Sequence, residues 1–221
     1  MKKYDLLYFV GDSWSTALCT DNVLPRDPEV HERFYDIVAK YYNLPYKVTA
    51  EGGAGNSWIH RQIYDNLPTL KEKYNNIIVI VGFSDPTRIE LFNNKWKDYH
   101  TIDDYHWEKG WYKLWLTEYC DPTWQSQEKY TQTLIKSLRS LYYSLDVDYL
   151  ECFAFTTPLV VNNFLSSNKY LERTWADICG EEGRIFNPQI NGYGHQNLLG
   201  NQKIADAIIN KLNQLYFNGS N

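Results

Sequence analysis

The sequence has no apolar run near the ~18 residues that a membrane-spanning helix needs. Its longest, Ile77–Phe83, is the size of a strand. Basic residues are not in excess: Lys+Arg number 22 against Asp+Glu 27, a formal net charge of −5. That balance argues against a nucleic-acid backbone or an anionic membrane as the main partner. Cysteine is sparse, and Cys19, Cys120, Cys152 and Cys179 lie far apart with no C-x-x-C and no nearby histidine pair. Zinc and redox motifs are therefore unsupported, and buried free thiols in a reducing compartment are the simpler expectation. Met1-Lys2-Lys3 imitates the charged start of a signal peptide. Asp5 and Asp12, however, confine the apolar part to Leu6–Gly11, and no small-x-small cleavage site follows. The expectation is a cytoplasmic chain. Repeats, low-complexity tracts and linkers are also missing.

What is present is the balance of an ordinary globular domain, 43% hydrophobic and 22% charged residues in a chain of 221. That length suits one domain over residues 1–217, with a frayed tail at 218–221. Aromatics are the outlier at 16%, with 19 Tyr and 8 Trp.

Short apolar runs alternate with helical periodicity. Tyr4–Val10, Tyr46–Ala50, Asn76–Val81 and Tyr149–Phe155 read as strands, with a short fifth at Arg184–Phe186. Helices are expected over Pro28–Tyr42, from Asn56 or Ser57 to about Leu67, over Thr123–Leu145, and through Ile204, Ile208, Leu212 and Leu215. Asn56 or Ser57 is the expected N-cap of the second helix. This alternation predicts an α/β fold: a three-layer α/β/α, flavodoxin-like sandwich around a mainly parallel five-stranded sheet. Residues 91–122 break the rhythm and hold Trp96, Trp107, Trp111 and Trp115. A stretch of that length without a period is uncommon in a compact domain unless it serves a purpose.

In open α/β sheets ligands bind beyond the carboxyl ends of the strands. Those ends carry Gly11-Asp12-Ser13, Gly52-Gly53-Ala54-Gly55-Asn56-Ser57 and Gly82-Phe83-Ser84-Asp85, and Gly192-Tyr193-Gly194-His195 precedes the last helix. Small residues, a hydroxyl nucleophile and a histidine thus converge on one edge. Serine is hardly ionised at neutral pH, so Ser13 needs a base such as His195.

These blocks, in this order, resemble those of the SGNH (GDSL-type) hydrolases, serine esterases and deacetylases on a flavodoxin-like sheet. The first is Phe9-Val10-Gly11-Asp12-Ser13 and the second Glu51 to Ser57. The third is Gly82-Phe83-Ser84-Asp85, and the last runs from His195 through Gly200 to Ala205. Block three also looks like small SGNH-like proteins of phage and bacterial genomes. The resemblance implies Ser13 as nucleophile and His195 as general base. It implies an oxyanion hole of the Ser13 and Gly55 N–H groups with Ser84. No metal or organic cofactor is implied. Two departures stand out. The family's block-three Asn is Ser84 here, and the acid expected three residues before the histidine is Gly192. Asn191 or a main-chain carbonyl is left to orient His195.

Each residue also has a plainer reading. Ser13 serves equally as an N-cap, His195 as a loop residue bonded to backbone, and Gly55 as a turn glycine. Asp12 is expected to bond backbone N–H groups at its turn, and Arg88 to pair with Glu90 or face solvent. His100 and His106 could line a pocket. The aromatic insertion admits three readings: a lid stacking on sugar faces, an oligomer or virion interface, or a cover for the sheet. The favoured activity is hydrolysis of an ester, with an acetyl group on a carbohydrate as the expected substrate. The alternative is an SGNH-fold binding or assembly module. A phosphate-binding, flavodoxin-like role finds hydroxyls over Gly11–Thr16 but no other flavin signature.

Overall fold

The computed structural model describes residues 2–15, 32–86, 88–92, 96–100, 125–154, 168–187 and 192–217. In chain order the elements are β1 (Leu6–Gly11), α1 (Phe34–Tyr42), β2 (Tyr46–Ala50), α2 (Asn56–Lys73), β3 (Ile77–Phe83), β4 (Arg88–Phe92) and β5 (Trp96–His100). There follow α3 (Gln125–Ser144), β6 (Asp148–Phe153), α4 (Trp175–Cys179), β7 (Arg184–Asn187), β8 (Gly192–Gln196), α5 (Leu198–Leu212) and a π-helical turn, Asn213–Phe217.

Four strands form a parallel sheet in the order β2-β1-β3-β6. Side chains alternate between faces along each strand, and each face has its own core. Leu7, Phe9, Ile78 and Ile80 pack with Phe34 and Val38 of α1, Trp175 of α4, and Ile204, Ile208 and Leu212 of α5. Leu6, Tyr8, Val10, Ile77, Val79 and Val81 pack with Ile59, Ile63 and Leu67 of α2 and Ile135, Leu138 and Tyr142 of α3. The α/β/α expectation holds. Burial on both faces is why β1 and β3 read as unbroken apolar runs.

The expected fifth strand does not join this sheet. Arg184–Asn187 pairs antiparallel with β8 as a separate two-stranded sheet. Beside β6 runs a short segment instead, where Glu151 makes a parallel bridge to Tyr170. Glu151 is buried, and Arg139 of α3 holds its carboxylate, with Nε donating to Oε1 at 2.8 Å. The break in rhythm after β3 begins as an antiparallel hairpin, β4–β5, with Arg88 opposite His100. Among the described residues, no helix is long and apolar enough to cross a membrane.

The order β2-β1-β3 places a switch point between β1 and β3: the chain leaves β1 toward one side for β2 and crosses to the other for β3. The crevice at the carboxyl ends there is where such sheets bind ligands.

Candidate active site at the carboxyl edge of the sheet

Gly11 ends β1 in register with Ala50 of β2 and Gly82 of β3, so the residues after each strand emerge along one edge. Asp12 follows, wholly buried, and every contact of its carboxylate holds this edge together. Its Oδ1 accepts the Trp14 N–H at 3.0 Å, and its main-chain carbonyl accepts the Ser15 N–H at 2.8 Å. Those two bonds close the tight turn that carries Ser13. Asp12 Oδ2 accepts the Ser84 hydroxyl at 2.9 Å and the Arg88 guanidinium at 2.9 Å.

Asp12 thus bonds backbone at its turn as expected, but its charge partner is a correction. Arg88, the first residue of β4, turns inward to Asp12 and is not a surface cation; its side chain is only 12% exposed. Ser84 differs from expectation as well. Its single hydroxyl proton, anticipated for an oxyanion, goes to Asp12.

The second block is built around Asn56. Its side chain is a two-way clip on Ser84: Oδ1 accepts the Ser84 N–H at 2.8 Å, and Nδ2 donates to the Ser84 carbonyl at 3.0 Å. Nδ2 also lies 3.4 Å from Thr131 Oγ1 of α3. The N-cap of α2 is Gly55 and not Asn56 or Ser57, because the Asn56 side chain is engaged across the edge. Gly55 is required by close approach: a Cβ there would stand 2.8 Å from the Arg88 carbonyl oxygen. The N-terminal end of α2, with its outward N–H groups and positive dipole end, therefore abuts the β4 strand at Arg88.

His195 comes from β8, and two neighbours hold that strand in place. Gln196, buried, donates from Nε2 to the Trp14 carbonyl at 2.7 Å. The Trp14 ring, also buried, has its centroid 6.1 Å from that of His195 at an interplanar angle of 50°. Asn197 caps α5 by accepting the Gly200 N–H at 3.0 Å, and its Nδ2 donates to the Glu182 carbonyl at 2.8 Å. The structure therefore gathers Ser13, Gly55, Ser84 and His195 on one edge.

Cys152 and Cys179 are buried and free, and offer no rival nucleophile. Burial pushes the Cys179 thiol up to about 12 and that of Cys152 well above its ordinary value, so neither is a thiolate at neutral pH. Among the described residues no group of three or more His, Cys, Asp and Glu could hold a metal ion.

Trp96 falls within β5. Asn191, His106, Trp107, Trp111 and Trp115 lie outside the described residues. Sequence reasoning missed Trp14 and Gln196, and read Arg88 and Asn56 in other roles. Of these only Asn56 carried a signal, as a polar residue after a glycine-rich strand end.

Neither a scan against protein-family models nor a search of curated proteins finds a match for the sequence. Among solved structures, a lipase/acylhydrolase from Enterococcus faecalis aligns over 95% of this chain and 96% of its own, at 10% identity and a TM-score of 0.36.

Proposed function

We propose that the chain is a serine hydrolase of SGNH type that cleaves an ester, with an acetyl group on a carbohydrate as the substrate class. The observation that carries this reading is the bond from Gln196 to the Trp14 carbonyl, which brings the strand of His195 against the turn of Ser13. The two residues are 182 positions apart, and Trp14 belongs to the turn after β1, one of the two strands that flank the switch point.

In this reading Ser13 Oγ attacks the acyl carbon as His195 takes its proton. The tetrahedral oxyanion is met by the Ser13 and Gly55 N–H groups, fixed donors that cost no reorganisation. Ser84 is a third donor only if its hydroxyl swings away from Asp12. The intermediate collapses as His195 returns the proton to the leaving alkoxide. Water, deprotonated by His195, then releases the acid and restores Ser13.

The engaged hydroxyl of Ser84 favours a second reading, in which the fold is kept for binding or assembly and turnover is slight. A fluorophosphonate probe and a chromogenic acetyl ester separate the two. The hydrolase reading expects labelling and turnover that Ser13→Ala and His195→Ala both abolish, since the pair acts as a unit. Absence of both in the folded wild type would leave the binding module.

A further inference from the structure

The imidazole of a serine–histidine pair has to be held in one place. Loss of the orienting carboxylate in a triad costs up to ~10⁴ in turnover. The three residues before His195 are Gly192, Tyr193 and Gly194, and none is acidic. The residue that follows His195 carries a buried amide. We infer that Gln196 is the positioning residue of the site, holding the His195 strand on the Ser13 turn through the Trp14 carbonyl; the inference rests on the hydrolase reading above.

Three observations converge on it. Gln196 is 3% exposed, and its Nε2 makes one hydrogen bond, to Trp14. Trp14 is itself fixed by its N–H to Asp12, the carboxylate that also takes Ser84 and Arg88. The next residue, Asn197, is bound to the 182–184 turn: its N–H reaches the Gly183 carbonyl at 2.9 Å and its amide the Glu182 carbonyl. His195 therefore sits immediately before two consecutive residues that are pinned to different parts of the fold. The ring of Trp14 flanks its imidazole as well. Positions of reacting groups matter steeply, since a misplacement of about 1 Å can cost ~10²-fold in rate.

The choice of residue supports a positional role over a packing one. Among the described residues, the buried Gln196 Oε1 finds no hydrogen-bond partner. A core selected for stability alone would favour an apolar residue of the same size over an amide satisfied at one end.

The test uses Gln196→Leu, which removes the donor at similar size, and Gln196→Glu. The glutamic acid donates to the Trp14 carbonyl only while protonated. Acetyl-ester hydrolysis is measured from about pH 5 to 8, with thermal melts and imidazole NMR of His195, assigned by comparison with His195→Ala. Gln196→Leu is expected to lower kcat ~10-fold or more with KM changed less than ~3-fold and the fold intact. The activity ratio of Gln196→Glu to Gln196→Leu should rise as pH falls. The His195 ring resonances should move in Gln196→Leu. Wild-type kcat in a folded Gln196→Leu, a flat ratio, or unmoved His195 resonances would overturn the inference. A wild type with no turnover and no probe labelling would instead remove the hydrolase reading; the NMR comparison then decides the clamp by itself.

Discussion

Arg88 donates to Asp12 Oδ2 at 2.9 Å, and this buried pair ties the first strand of the β4–β5 hairpin to the turn that carries Ser13. Asp12 is completely buried and Arg88 nearly so. Desolvating both charges offsets much of their attraction, so the pair adds little net stability, but removing one partner strands the other. Gly55 approaches the Arg88 main chain on the same side. The hairpin, and with it the start of the aromatic insertion, is thus attached to the turn of the candidate nucleophile through a charge pair.

Arg88→Met should therefore destabilise the fold by about 3–5 kcal/mol, because it leaves a buried carboxylate without its cation. Asp12→Asn combined with Arg88→Met should be milder than Arg88→Met alone. Urea melts of the two single variants and the double one complete the cycle. Additive losses would mean that the two side chains do not interact in solution.

Gly82 makes a second, sharper prediction. It pairs with Gly11 on one side and Cys152 on the other, in the middle of the parallel sheet. A Cβ there would overlap the ring of Trp175, which is 1% exposed and roofs this face from α4. Gly82→Ala should cost about 1–3 kcal/mol by overpacking, although alanine suits the strand better in every other respect. A melting temperature equal to that of the wild type would show that Trp175 yields easily.

The parts of the fold legible in the sequence were those that physics writes locally. β1 and β3 are buried on both faces and leave a continuous apolar signature. The leucine stripe of α3 likewise repeats at helical spacing, with Leu134 and Leu138 buried. Pairing partners were not legible. Arg184–Phe186 has strand character, but nothing in it distinguishes the edge of a parallel sheet from a hairpin with Gly192–Gln196, whose two glycines mute the strand pattern. The short helix Trp175–Cys179 was overlooked, although Thr174 accepts the Asp177 N–H at 3.1 Å and that Thr-x-x-Asp spacing is an N-cap signal. In the site, strand ends located Ser13 and Gly55. The Asp12–Arg88 pair spans 76 residues and the Gln196–Trp14 bond 182. Tertiary contacts of that reach leave no local pattern.

His60 gives the fold a pH dependence of definite sign. It lies between α2 and α3, with Nε2 3.1 Å from Ser137 Oγ and its ring stacked on Tyr64 at 4.7 Å. Burial lowers its pKa below the usual 6.5. The unfolded chain therefore takes up a proton near 6.5, while the folded chain waits for lower pH. Stability from this residue is complete above 6.5 and declines as pH falls below it. Unfolding free energies at about pH 7.5 and 5.5 should differ more in wild type than in His60→Gln, which keeps polarity but cannot titrate. Burial raises Glu151, and burial with the charge of Asp85 raises Glu128; both act in the opposite sense, but equally in the two proteins. Equal pH dependence in wild type and His60→Gln would show that the imidazole is hydrated in solution.

Ser84 decides between two jobs for one hydroxyl. It is 4% exposed, its N–H and carbonyl are both clipped by Asn56, and its O–H donates to Asp12. Every polar atom of the residue is thus bonded before any substrate arrives. If the hydroxyl stays on Asp12 through the reaction, Ser84→Ala should lower stability by about 1.5 kcal/mol or somewhat more, the scale of a hydrogen bond to a charged group. Turnover should then drop by less than ~10-fold, well short of the ~10²–10³ that loss of an oxyanion donor costs. Ser84→Thr keeps the hydroxyl and should stay near wild type in turnover. Ser84→Asn must fit a longer side chain where there is almost no exposure and Asp12 already has Arg88. It should destabilise without a gain in rate, because its amide would compete for the same carboxylate oxygen. Urea melts and acetyl-ester kinetics on the three variants make the comparison. A stable Ser84→Ala with a hundredfold loss of kcat would return Ser84 to the oxyanion hole, and would mean that its proton leaves Asp12 as charge develops on the substrate.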